Sequence, residues 1–246
     1  MAVFFHLQFI ECQNGENITH KRSYCPNCNH SLGFFDLIPV LSYITLKGKC
    51  KYCNEKISPR YLILEIGSGL LFLLFTASLK IDIYNLNIQK IVYLLSGTIY
   101  ISTLILMGGI DKEKHNINKS VLLFGLIMGF IYILYLYILG NNIYGYVIYL
   151  FIVFILLLIE IIFLKKKGKD VYATQILTLC IYMAMWTKED CTVLTIILAL
   201  WIIVIRGITS KPKKEIVDTN NSSNIPIGTY LCFSNIAVMI IENFLK

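Results

Sequence analysis

Charge is scarce in this chain: Asp, Glu, Lys and Arg together make up 15% of its 246 residues, where soluble domains carry about a quarter. That scarcity, with 57% apolar residues and a mean hydropathy of +0.68, excludes an ordinary soluble domain and indicates a multi-span membrane protein. The opening residues are not expected to be a secretory leader. Residues Met1 to Glu11 lack the charged start, apolar centre and small-residue cleavage site of a signal peptide. They also fall short of the roughly 20 apolar residues that cross a bilayer. The chain shows no repeat of solenoid period and no second soluble domain; Thr209 to Asn224 reads as a polar loop.

The charge that is present is basic, +7 net, and its distribution decides what it means. Lysine and arginine gather in alternate loops: Lys21 to Arg60, then Lys112 to Lys119, then Lys165 to Lys169, then Arg206 to Lys214. Lys80, Lys90, Lys188 and Lys246 stand at the other ends. This asymmetry is that of the positive-inside rule and predicts that the first set of loops is cytosolic. A nucleic-acid partner is not expected; the lipid bilayer is. Between the loops lie seven apolar segments, Tyr61–Leu79, Ile91–Gly109, Val121–Leu139, Tyr144–Leu164, Val171–Trp186, Thr192–Ile205 and Ile225–Phe244. Backbone polar groups in lipid must find partners within their own segment, so each is expected to be a helix. The fold class is therefore an all-α polytopic membrane protein of about seven transmembrane helices with a small cytosolic zinc-knuckle loop domain. The expected division is 1–60 for the four-cysteine part and 61–246 for the membrane part.

Eight cysteines are present, and four form two Cys-x2-Cys pairs: Cys25 with Cys28, and Cys50 with Cys53. Each short knuckle turns two sulfurs to one side, and two knuckles complete a tetrahedral thiolate site for zinc. Two disulfides, or four unrelated thiols, are the alternatives at this spacing. A reducing cytosol disfavours the disulfides. Cys12, Cys180, Cys191 and Cys232 have no ligand spacing and read as lone thiols.

Two acids stand at the predicted cytosolic membrane face, Asp111 after the Ile91–Gly109 segment and Asp170 before the Val171 segment. Two carboxylates within about 3 Å share a proton, so that one can accept a proton from water while the other donates to a leaving amine. Taken alone, each residue reads more readily as a solvated boundary residue. Glu160 lies near a lysine cluster and reads as a snorkelling side chain. His30, beside the first knuckle, is a solvated loop residue by default.

The order and spacing of Arg22-Ser23, Cys25-Pro-Asn-Cys28, Leu32, Asp36-Leu-Ile-Pro39, Ser42-Tyr43, Lys47-Gly-Lys-Cys50, Tyr52-Cys53, Ile57-Ser58, Arg60-Tyr61 and Glu65 resemble the cytosolic loop of the type IV prepilin leader peptidases. These are bacterial membrane aspartic proteases, many of which also N-methylate the pilin they cut. The resemblance implies an endopeptidase that removes the basic leader from pilin-like precursors at the cytosolic face of the bacterial inner membrane. It implies Asp111 and Asp170 as the catalytic dyad, zinc on Cys25, Cys28, Cys50 and Cys53, and S-adenosylmethionine as a methyl donor. No independent methyl-donor motif is present, and the oligomeric state is not specified.

Departures from the family pattern are definite. The family's opening span is expected to be missing, with Glu11-Cys12-Gln13 in place of an Arg-x-Pro element. Asp111 is followed by Ile117, but Asn118 takes the usual proline position. The family turn Gly-x-Gly-Asp-Val-Lys is here Lys167-Gly168-Lys169-Asp170-Val171-Tyr172. Ile225-Pro226-Ile227-Gly228 resembles the element that opens the family's last span. A catalytically impaired paralogue and a zinc-knuckle membrane assembly factor are the alternatives to the peptidase.

Overall fold

A computed structural model describes residues 25, 27–28, 30–33, 39–57, 59–82, 84, 87–141, 144–159, 172–187, 189–209 and 225–245. Among them the chain is helical, without a strand longer than an isolated bridge. The helices are α1 (Pro39–Thr45), α2 (Pro59–Ser78), α3 (Ile88–Lys114), α4 (Lys119–Ile138), α5 (Tyr144–Ile159), α6 (Tyr172–Trp186), α7 (Glu189–Thr209) and α8 (Ile227–Leu245). Helices α2 to α8 fall on the seven apolar segments. Four regions within them, Ile88–Glu113, Lys119–Ile138, Cys191–Ile208 and Ile227–Leu245, are long and apolar enough to cross a membrane. The chain divides into two units, with the boundary between Leu74 and Phe75.

In the first unit, the described residues around the cysteines form two turns. Cys25 N–H donates to the His30 carbonyl at 3.0 Å, closing the first. In the second, Cys50 N–H donates to the Glu55 carbonyl at 2.8 Å and Asn54 N–H to the Cys50 carbonyl at 2.9 Å, with an antiparallel bridge between Lys49 and Lys56. Gly48 has φ +68°, and a Cβ there would stand 2.9 Å from the Tyr43 ring. Glycine is thus required twice over, for the left-handed backbone and for the close approach of the ring.

In the second unit, α8 packs against α3, α6 and α7. Its buried residues run from Gly228 to Asn243 around much of its circumference, and several are polar: Thr229, Ser234, Asn235 and Asn243. A polar group in such an interior is ordinarily hydrogen-bonded; Asn235 is, whereas Ser234 Oγ and Asn243 Nδ2 have no partner among the described residues. Asn235 Oδ1 accepts from the Tyr100 hydroxyl at 2.7 Å, and its Nδ2 donates to Thr195 Oγ1 at 3.2 Å and Thr187 Oγ1 at 3.5 Å. These bonds tie α3, α7 and the end of α6 to α8. Where α4 meets α6, Gly125 and Gly129, one turn apart, give the close face. A Cβ on Gly125 would come within 2.8 Å of the Tyr182 ring, and one on Gly129 within 3.4 Å of the Trp186 indole. The small-xxx-small spacing is the usual device for close helix approach in a membrane.

Helix bounds differ from the hydropathy reading in two informative places. Helix α3 does not stop at Gly109 but continues through Asp111 to Lys114, ending at His115 in the left-handed conformation, φ 49°. Asp111 is consequently inside a helix, not beyond one. Helix α7 begins at Glu189 and ends at Thr209, with Arg206 in its last turn. Acids at the amino end and a cation at the carboxyl end complement the helix dipole, so the charged ends extend the apolar run.

Candidate active site and metal centre

Asp111 is fully buried, and what surrounds it follows from helix ends. The first N–H groups of a helix have no partner within it, and the amino end of α8 comes against the last turn of α3. Thr229 N–H donates to Asp111 Oδ2 at 2.8 Å. The Thr229 hydroxyl divides its proton between the Gly108 carbonyl at 2.8 Å and Asp111 Oδ2 at 3.2 Å. On the other oxygen, the Tyr172 hydroxyl donates to Oδ1 at 2.8 Å and accepts from Gly228 N–H at 3.4 Å. The carboxylate therefore acts as a capping group supplied from a neighbouring helix, an arrangement favoured by the positive end of the dipole.

Gly228 makes this approach possible. A Cβ on it would lie 3.0 Å from Asp111 Oδ2 and 3.4 Å from Ile117 Cδ1. Ile117 is itself buried, its N–H donating to Gln175 Oε1 at 3.3 Å. The connection from α3 to α4 is thereby fastened to α6. Asn118, in the position where proline was expected from the resemblance, caps α4: its Oδ1 accepts from Ser120 N–H at 2.8 Å and Val121 N–H at 3.4 Å.

Of the two aspartates singled out by sequence, the structure thus places Asp111 in a dry, hydrogen-bonded setting; Asp170 lies outside the described residues, as do Glu160, Cys12 and the Lys167–Lys169 turn. The reading of Asp111 as a solvated boundary residue does not hold, because α8 covers it. Tyr172, Thr229 and Gln175 were not singled out for roles around Asp111. For Tyr172 the signal was its position two residues after Asp170, and for Thr229 its position directly after the Ile-Pro-Ile-Gly element.

The second cluster is sulfur. The Sγ atoms of Cys25, Cys28, Cys50 and Cys53 all lie within 4.8 Å of one another and could hold a metal ion. Cys25 Sγ and Cys53 Sγ, one from each knuckle, are 3.9 Å apart. A tetrahedron with zinc–sulfur bonds of about 2.3 Å has edges of about 3.8 Å, so four soft donors at this spacing fit zinc in type and distance. Across the two knuckles the His30 and Tyr52 rings lie 3.6 Å apart between centroids, and Asn27 Nδ2 donates to Glu55 Oε2 at 3.4 Å. Backbone amides of Cys28 and Asn27 hold the Cys25 thiol down at about 7. Cys53 is pushed up to about 11: the Glu55 amide favours its thiolate, but burial and the neighbouring sulfurs outweigh it. Sulfurs that compete in this way for negative charge are reconciled by a dication.

Residues 1–79 match the family described as the Bacterial Peptidase A24 N-terminal domain. The chain is 33% identical over 104 residues to a prepilin leader peptidase/N-methyltransferase of Klebsiella pneumoniae, covering 42% of each chain. It is 46% identical over 55 residues to one of Burkholderia pseudomallei strain 1026b, 22% of this chain and 18% of that one. These matches support the prepilin peptidase family. A type 4 prepilin-like proteins leader peptide-processing enzyme of Escherichia coli O78:H11 adds 40% identity over 70 residues, 28% of this chain and 26% of that one. The matched parts thus span less than half of these prepilin peptidase relatives. No solved structure matches the chain.

Proposed function

We propose that the chain is an aspartic endopeptidase that removes the leader from type IV pilin-like precursors at the cytosolic face of the bacterial inner membrane, with Asp111 and Asp170 as its dyad. The observation that carries this reading is the clamp on Asp111. The Tyr172 hydroxyl binds its Oδ1, and Asp170 is two residues from Tyr172, a chain length of at most about 7 Å. In the reaction, one carboxylate takes a proton from water as the water oxygen bonds to the scissile carbonyl carbon. The partner carboxyl gives its proton to the leaving nitrogen as the C–N bond breaks, yielding a carboxylate and an amine. Asp111, held by the start of α8, is the fixed member of the pair. The names of the relatives support a prepilin as substrate, and the apolar helices support insertion in lipid, in this reading with seven spans and the cysteine loop in the cytosol.

Zinc on the four thiolates would hold the two knuckles together and take no part in hydrolysis. Methyl transfer from S-adenosylmethionine is supported by the relatives' names alone. The direct test is incubation of membranes bearing the chain with a prepilin whose basic leader ends in glycine. Loss of the leader is expected; an intact precursor, with the chain present in the membrane, would instead favour the catalytically impaired paralogue that the Lys167–Lys169 turn suggests.

Gly228 offers a sharper variant. With its Cβ position 3.0 Å from Asp111 Oδ2, Gly228→Ala is expected to displace the carboxylate by a few tenths of an ångström. Cleavage should slow by about tenfold, since small misplacements of a reacting group are costly. An unchanged rate at equal protein level would separate Gly228 from the site.

A further inference from the structure

The two oxygens of the Asp111 carboxylate are not equally occupied. Each carboxylate oxygen can accept two hydrogen bonds. Oδ2 has both, from Thr229 N–H at 2.8 Å and from the Thr229 hydroxyl at 3.2 Å, and a Cβ on Gly228 would stand only 3.0 Å from it. Oδ1 has one donor among the described residues, the Tyr172 hydroxyl at 2.8 Å, which leaves one of its lone pairs open. Burial points the same way. Thr229, on the Oδ2 side, is 8% exposed, whereas Tyr172, on the Oδ1 side, is half-buried.

Tyr172 is held where it can fix the direction of that open lone pair. Its hydroxyl oxygen accepts from Gly228 N–H at 3.4 Å, and its proton is thereby left for Oδ1. Three residues on, and so on the same face of α6, Gln175 Oε1 accepts from Ile117 N–H at 3.3 Å. The amino end of α6 is thus fastened at two points, to the last turn of α3 and to the α3–α4 connection, and the phenol cannot swing away. Tyr172 stands at the lysine position of the family turn, so the family pattern does not supply this hydroxyl.

We infer that Tyr172 is a positioning residue for leader removal, holding Asp111 so that Oδ1 is the oxygen through which it exchanges a proton. This rests on the peptidase reading and adds to it the atom at which Asp111 works. The proton passes at the open lone pair of Oδ1, the phenol stays on the other, and Oδ2 remains bound to Thr229. Phenylalanine at position 172 keeps the ring and loses the donor, whereas lysine keeps a donor and loses the ring, so the two substitutions separate aim from packing. In the purified full-length chain in dodecyl maltoside, kcat and KM are measured for removal of the leader from a prepilin whose basic leader ends in glycine. Tyr172→Phe is expected to lower kcat by at least about tenfold with KM changed by less than about twofold, and Tyr172→Lys to return kcat to within about threefold of the unaltered chain. Full kcat in Tyr172→Phe, or a loss in Tyr172→Lys as large as that in Tyr172→Phe, overturns the inference and leaves the peptidase reading standing. An unaltered chain that leaves the precursor intact overturns the peptidase reading and the inference with it.

Discussion

Asp111→Asn is expected to reduce leader removal by at least about a thousandfold while leaving the amount of chain in the membrane nearly unchanged. The substitution keeps the size of the side chain and removes one of the two groups that hold and move the proton. The amide can keep its oxygen on Thr229 N–H and turn its nitrogen to the Tyr172 hydroxyl, which accepts as well as donates, so the hydrogen bonds of the site can be kept. The packing of Gly108 against Cys232 of α8 is untouched by the change. Loss of cleavage with normal insertion thus distinguishes a chemical role from a structural one. Quantitative comparison of mature and precursor pilin on a gel, with the chain measured by immunoblot, makes the distinction.

Cys50→Ser is expected to have the largest effect on the first unit. Cys50 is buried, its backbone closes the second knuckle, and structural zinc supplies on the order of 10–16 kcal/mol to small metal-stabilised folds near neutral pH. A serine hydroxyl does not ionise to replace the thiolate. Purified chain should therefore fall from one bound zinc to a small fraction of one. Trypsin should then cut readily at Lys47, Lys49, Lys51 and Lys56, which flank the knuckle. Elemental analysis and timed digestion read these separately; full zinc content in Cys50→Ser, or none in the unaltered chain, would contradict the assignment.

The seven apolar segments were legible because hydropathy marks helices that cannot leave backbone groups unsatisfied in lipid, and helices α2 to α8 fall on them. The four cysteines were legible because knuckle spacing is local: each pair is set by its own turn. Asp111 could be singled out by position, yet its surroundings could not. Hydropathy falls at Asp111-Lys-Glu-Lys, and the helix continues there because residues more than sixty positions away, Tyr172 and Thr229, take up the carboxylate. Such partners leave no periodic trace. Asn118 looked like a loss of the expected proline, whereas its side chain caps α4, a role only the observed turn reveals. The charged ends of α7 were read as loop, and the dipole rule applied to Glu189 and Arg206 would have recovered both turns.

The clamp explains why one carboxylate is fixed; in the proposed reaction the carboxylate of Asp170 acts with it. Leader removal by membranes bearing Asp170→Asn, set beside Asp111→Asn and the double variant, measures that pairing. Residues that act as one unit are non-additive. All three are expected to fall to the same background rate, whereas cleavage by Asp170→Asn at the unaltered rate would remove Asp170 from the dyad.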